Sequence, residues 1–340
     1  MKKLLKFVLF LTVCVLSMPL LTVGLAAETK EKLPEEPDAL VSETVLAQRQ
    51  PEKRYDAETI VTLLCGNEVR QLSLEDYLLG VLAAEMPAGF PEEALKAQAV
   101  AARTYTLYKM ALYADGEDSL HQGADLCDDP SHCEAFADLT TQAAVMWGDS
   151  AQIYSQRLQT AVAETDGMIL VYEDEPIAAV FCAAATDRTE SAKDIWGSDL
   201  PYLVSVESPG GRDCSRYEGT VTVAQTDFAE AVRAQFPEAD FSQAPSTWFR
   251  DSHRSAAGSV LDVLVGEVRL SGSQVRQLAG LNSANFTVKV QDADLVFSTV
   301  GYGHGVGLSQ YGARYLALDG QTYDQILSHY YPGTQLRLEG

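Results

Sequence analysis

One acidic residue, Glu85, sits inside the aliphatic run LLGVLAAEMP at residues 78–87. Leu78, Val81, Leu82 and Glu85 fall at i, i+3, i+4 and i+7, so a helix places them on one face. Pro87 disfavours continuing that helix beyond Met86. A carboxyl on an apolar face is partly desolvated, which favours its protonated form. Such a group can donate a proton to a leaving oxygen, and a helix end leaves it accessible. The competing reading is a terminal Glu that points to water. Lys96, Ala99 and Arg103 follow at i, i+3 and i+7 of the next helix. They read either as a solvated face or as a basic wall beside Glu85, where their charge would oppose the effect of burial on its pKa.

A second constellation is His121-x5-Cys127-x4-His132-Cys133. Two thiols and two imidazoles within a short span suit a tetrahedral zinc ion, though the spacing is not that of a standard zinc finger. A Cys127–Cys133 disulfide is the alternative for a chain exposed to an oxidising compartment. It leaves both histidines without a role, so zinc is the expectation, structural if all four residues ligate. Residues 301–307, GYGHGVG, place glycine at every second position after an apolar strand at 295–300. The pattern matches neither a Walker loop nor G-x-G-x-x-G, so nucleotide binding is not expected. Alternating glycine permits close approach of a glycan or of a neighbouring strand. His304 within it either meets substrate or Glu85, or is satisfied by backbone groups in a tight turn. Ser309 is placed to cap a helix that presents Gln310 and Tyr311. Cys182 and Cys214 form a candidate pair, against two buried thiols; nothing is assigned to Cys65.

The elements that must position these residues are legible in outline. Residues 60–64 and 68–72 read as a hairpin around Gly66-Asn67. Ser73 and Asp76 form a capping-box variant ahead of the Glu85 helix. A second helix opens at Pro91, with Glu92 and Glu93 in its first turn. It runs to about Tyr113 and stops near Asp115-Gly116. Residues 151–165 read as helix, and 168–172 with 177–182 as a hairpin. Strands at 260–265 and 286–290 alternate with helices at 226–235 and 273–279. The class is α+β: helices and antiparallel sheet around a cleft, with a smaller β-rich lobe inserted at about 217–297.

Of the 340 residues, 48 are acidic and 25 basic, for a formal charge of -23. That balance argues against a nucleic acid partner, which is held by Lys and Arg contacts to phosphate. The first six residues carry three lysines, and residues 7–27 are almost wholly apolar. This is a single membrane anchor or a signal segment, with Gly24-Leu25-Ala26 as a cleavage site. Basic residues ahead of the span place everything after it outside the cytoplasm. Residues 28–58, rich in Glu, Lys, Pro and Gln, read as a disordered linker, and the folded domain is expected at 59–340.

Three long blocks carry a resemblance: YLLGVLAAEMP (77–87) with FPEEALKAQAVAARTY (90–105), GYGHGVGLSQYGA (301–313), and YDQILSHYYPGT (323–334). In order and spacing they resemble the stage II sporulation protein D family, from about residue 60 to the C-terminus. The resemblance implies a membrane-anchored lytic transglycosylase acting in the septal intermembrane space. Its substrate would be peptidoglycan glycan strands already stripped of stem peptides by a sporulation amidase, stage II sporulation protein P. Septal membrane proteins are the other expected partners. Glu85 corresponds to the family's catalytic acid; Lys96, Arg103, Arg188, His304, Gln310 and Tyr311 are assigned to the substrate cleft. Some clostridial members look alike around 121–133 and bind a metal near the cleft. The segment 181–197 matches at Arg188, Glu190 and Trp196 but departs at 182–187. The family usually has His, Ser or Thr and a Gly pair there, and this chain has CAAATD. That departure favours a different reading, a non-catalytic glycan-binding scaffold that activates a cell-wall amidase, as in the related amidase enhancers. An ordinary muramidase is less favoured, because the sequence offers no obvious second carboxylate.

Overall fold

The computed structural model describes residues 54–113 and 121–339. The apolar segment, most of the expected linker and the turn near Asp115-Gly116 lie outside the described residues. Two compact units are distinguished: residues 54–137 with 154–339, and a unit whose described part is residues 138–153. The latter carries a helix, Leu139–Trp147, opened by Asp138, whose carboxylate accepts from the Thr140 N–H at 3.0 Å.

The larger unit is α+β, as expected. Order begins before the expected boundary at 59, because Tyr55–Glu58 is a short helix, α1. It is held by a buried ion pair, Asp56 with Arg103, described below. Strands β1 (Ile60–Cys65) and β2 (Glu68–Ser73) form the expected hairpin. The Ser73 hydroxyl accepts from the Asp76 N–H at 3.1 Å and caps α2, Leu74–Glu85. The helix stops at Glu85 because Met86, ahead of Pro87, adopts an extended conformation. Leu78, Val81 and Leu82 are fully buried; each such side chain contributes roughly 1.5–3 kcal/mol.

Helix α3, Glu92–Leu112, has Pro91 at its N-cap and runs through the middle of the unit. Its alanines at 94, 97, 99, 101 and 102 are buried. Small side chains let α2, the strand Met168–Tyr172 and the C-terminal helices pack closely around it. Strand β3, Leu126–Cys127, adds to β1 in parallel and brings the His/Cys loop onto the sheet. Asp125 secures it: its Oδ2 accepts from the Thr62 N–H at 2.7 Å and from the Thr62 hydroxyl at 2.6 Å.

The expected hairpin of 168–172 with 177–182 is realised differently. Met168–Tyr172 pairs with the two-residue strand Glu175–Pro176 and, on its other edge, with Gln335–Leu338. Phe181–Cys182 instead pairs in parallel with Leu308–Ser309. Residues 218–300 enclose a core of their own, built from Phe228, Trp248, Val265, Leu270, Phe286 and Phe297 among others. Two three-stranded antiparallel sheets surround it. Its last strand delivers the chain to the glycine-rich segment.

Candidate functional site

Glu85 is the last residue of α2 and is partly exposed. Its Oε1 accepts the Ala135 N–H at 3.0 Å, and Gln310 is its other hydrogen-bond partner. Burial of the carboxyl raises its pKa, and these two hydrogen bonds pull the other way. The C-terminal end of a helix dipole also disfavours a negative charge.

Lys96 and Arg103 are not the wall of a cleft. Lys96 is caged by Glu92 (2.8 Å), Glu93 (3.0 Å) and Glu164 (2.6 Å) and is only 12% exposed. Arg103 is 0% exposed. Its guanidinium clasps both oxygens of Asp56 at 2.5–3.0 Å and donates to the Met168 carbonyl at 3.1 Å. Their helical spacing is as expected; what packs on that face is acidic side chains and α1, so both act in ion pairs.

Gln310 opens the helix Gln310–Leu318, capped by Ser309 as expected. It is buried, and its Nε2 lies 3.5 Å from Gln98 Oε1 on α3. A chain of side chains therefore runs Glu85–Gln310–Gln98. Tyr311 stands beside it, edge-on to Phe90 at 5.0 Å, with its hydroxyl bonded to the Cys214 thiol. Arg157 fixes the turn after Glu85, donating to the Ala88 (3.0 Å) and Phe90 (2.6 Å) carbonyls.

Arg188 and His304 belong to a different place, a depression lined also by Thr186, Glu190 and Tyr302. Glu85 is not among its lining residues. Arg188 is tied to Ser205. His304 Nδ1 accepts the Val306 N–H at 3.1 Å, and the ring also bonds the Phe181 backbone. Burial and then the nearby Arg276 lower its pKa to about 4. It is the backbone-satisfied histidine of a tight turn, neutral at neutral pH. The glycines around it serve a neighbouring chain segment. A Cβ on Gly303 would lie 2.8 Å from Cys182 Cβ, and one on Gly307 would lie 2.0 Å from the Val180 carbonyl; both have positive φ. The segment 180–190, which includes the altered residues 182–187, is its partner. Ala184 and Tyr302 exchange hydrogen bonds, and the Ala183 carbonyl accepts from Tyr311 N–H. Cys182 and Cys214 are both free thiols, not a disulfide.

The four residues 121, 127, 132 and 133 do converge. Their donor atoms all lie within 4.8 Å of one another. His121 Nε2 is 3.1 Å from His132 Nδ1 and 3.2 Å from Cys133 Sγ. Cys127 and Cys133 are free thiols. Two thiols and two imidazoles at this separation can hold a tetrahedral ion with no position left open.

Sequence reasoning missed Glu134. It is 2% exposed, and its Oε2 accepts from the Tyr77 hydroxyl at 3.2 Å and the Thr106 hydroxyl at 3.1 Å. Burial, and then the charge of Glu85, raise its pKa to about 8. The available signal was a lone carboxylate between Cys133 and the apolar Ala135-Phe136. Gln98 was likewise readable as a single amide within a buried alanine stripe.

A sequence profile described as "Stage II sporulation protein" matches residues 66–172, which include Glu85 and the His/Cys loop. The chain is 36% identical over 274 residues to stage II sporulation protein D of Bacillus subtilis (strain 168), across 80% of this chain and 76% of that one. It is 35% identical over 271 residues to the protein of that name from Bacillus amyloliquefaciens, with the same coverage. An amidase enhancer of Bacillus subtilis (strain 168) is 28% identical over 309 residues, 76% of this chain and 40% of that protein. The first two likenesses extend over most of both partners, and on that ground the chain belongs to the stage II sporulation protein D family.

Proposed function

We propose that this protein is a lytic transglycosylase of sporulation that cuts denuded peptidoglycan glycan strands, with Glu85 as acid and then base. The observation that carries the reading is the state of Glu85. It is accessible at a helix end, has a pKa raised by burial, and is oriented by the Ala135 N–H and Gln310. A general acid needs that protonated form at working pH. Protonated Glu85 gives its proton to the glycosidic oxygen as the bond from the muramic acid anomeric carbon breaks. The muramic acid 6-hydroxyl then attacks that carbon, and the Glu85 carboxylate takes the hydroxyl proton. A 1,6-anhydro ring closes and no water is consumed.

Hydrolysis would need a second carboxylate to activate water. The second carboxyl beside Glu85 is Glu134, and at 2% exposure it is walled off from water and glycan by Tyr77 and Thr106. This supports transglycosylation over a muramidase reaction. Gln310, the side-chain hydrogen-bond partner of Glu85, is the sequence-assigned cleft residue that meets it; Tyr311, which packs toward Cys214 and Phe90, and Arg188 are kept as proposed strand contacts. His121, Cys127, His132 and Cys133 would hold zinc, which when bound supplies a structural cross-link with no catalytic position. The N-terminal apolar segment would keep the protein at the membrane with the domain outside the cytoplasm. Among the described residues, no helix is long and apolar enough to cross a membrane. Stage II sporulation protein P and septal membrane proteins are the proposed partners.

A second reading, a non-catalytic scaffold that stimulates an amidase, is favoured by the likeness to an amidase enhancer. Incubating purified protein with denuded strands, with and without the amidase, separates the two. Strand cleavage by the protein alone supports the enzyme. Strand binding and amidase stimulation with intact strands would support the scaffold and overturn the proposal.

A further inference from the structure

The segment 133–137 is fastened along α2 by successive residues. Cys133 belongs to the His/Cys cluster. Glu134 turns its carboxyl into the interior, where the Tyr77 hydroxyl of α2 and the Thr106 hydroxyl of α3 both donate to Oε2. Ala135 presents its N–H to Glu85. The Phe136 ring stacks on Tyr77 at 5.9 Å over Gly80, where a Cβ would lie 2.2 Å from the ring. Ala137 N–H donates to the Gly80 carbonyl at 3.1 Å. A buried carboxyl is a costly way to fill space, and an apolar side chain would pack there with less penalty. Glu134 Oε1 has no hydrogen-bond partner among the described residues, so its burial is only partly offset. What the carboxyl does provide is a two-helix anchor for the backbone immediately before the Ala135 amide.

We infer that Glu134 is a positioning residue: by bonding both α2 and α3 it fixes the Ala135 N–H, which in turn fixes the Glu85 carboxyl. The inference rests on the reading of Glu85 as the acid. Glu134 is itself 2% exposed, so its loss is expected to act on turnover and not on strand binding. Misplacing a catalytic group by about 1 Å can cost on the order of 10²-fold in rate.

The test compares Glu134→Ala and Glu134→Gln in the full chain. Glutamine keeps an oxygen that accepts from both hydroxyls; alanine keeps none. Glu134→Ala is expected to lower kcat by roughly 10²-fold with KM unchanged, and Glu134→Gln to restore most of kcat. The Ala135 amide resonance supplies a readout independent of turnover. It should move in Glu134→Ala to where Glu85→Ala places it, and stay at the wild-type position in Glu134→Gln. If Glu134→Ala keeps both kcat and the wild-type Ala135 resonance, the inference is overturned. If Glu134→Gln is as impaired as Glu134→Ala, anchoring is also the wrong account. Should the wild-type protein cleave no strands while the resonance still follows this pattern, the positioning role stands and the proposed activity falls.

Discussion

At Glu85, three influences meet on one carboxyl. Burial raises its pKa, while the Ala135 N–H and Gln310 stabilise its charge and hold its direction. In the proposed reaction the acid form acts first, so activity should decline as pH rises through the raised Glu85 pKa. Gln310→Leu removes one of the interactions that lower that pKa. The declining limb should therefore move to higher pH, by less than about 2 pH units, since a hydrogen bond to a charged group is worth about 1.5–3 kcal/mol. A pH–rate profile of the variant checks this; a limb that moves to lower pH would contradict it. The same raised pKa carries a stability consequence. Below the unfolded value near 4.5 the carboxyl is neutral in both states, and above it ionisation favours the unfolded chain until the folded group also ionises. Glu85→Gln should thus gain stability relative to wild type as pH rises through that window, as read by denaturant unfolding at several pH values.

At the level of elements, helical periodicity was informative about faces and silent about what covers them. Leu78, Val81, Leu82 and Glu85 do share one side of α2. The stripe of Lys96 and Arg103 is also real, yet one cation meets three carboxylates and the other is sealed beneath α1. Spacing cannot distinguish these outcomes, because the partners come from distant parts of the chain. Arg103→Ala leaves the buried Asp56 carboxylate without its counter-charge and should destabilise the fold by about 3–5 kcal/mol, measured by urea unfolding. A loss below 1 kcal/mol would mean that α1 is not held by this pair. The His/Cys loop was readable because its four donors lie close in sequence. Purified protein should carry about one equivalent of zinc per chain, and chelation should lower its melting temperature. A metal-free preparation that forms a Cys127–Cys133 disulfide and melts at the same temperature would rule the metal out.

Across the whole molecule, the candidate site joins the end of α2, the segment after the His/Cys loop and the helix that follows the glycine run. The fold class and both central helices were legible from local pattern. The meeting of Glu85, Glu134 and Gln310 was not, because it depends on β3 joining β1 and on Leu308–Ser309 joining Phe181–Cys182, both parallel pairings between distant segments. The glycine run illustrates the same limit. Its alternation signalled close approach, and only the packing identified the neighbours as Val180, Cys182, Ala184 and Glu190. For the full chain, the apolar segment at 1–27 predicts recovery in the membrane fraction, and removal of that segment predicts release; a shortened protein in the soluble fraction would point to cleavage, and an uncleaved one there would contradict the anchor. The central claim remains the proton carried by Glu85. Digesting denuded glycan strands with wild type and Glu85→Gln and weighing the products tests it most directly. The account predicts 1,6-anhydro-muramic ends from wild type and a loss of at least about 10²-fold in scission for Glu85→Gln. Products heavier by one water, or undiminished cleavage by the variant, would contradict it.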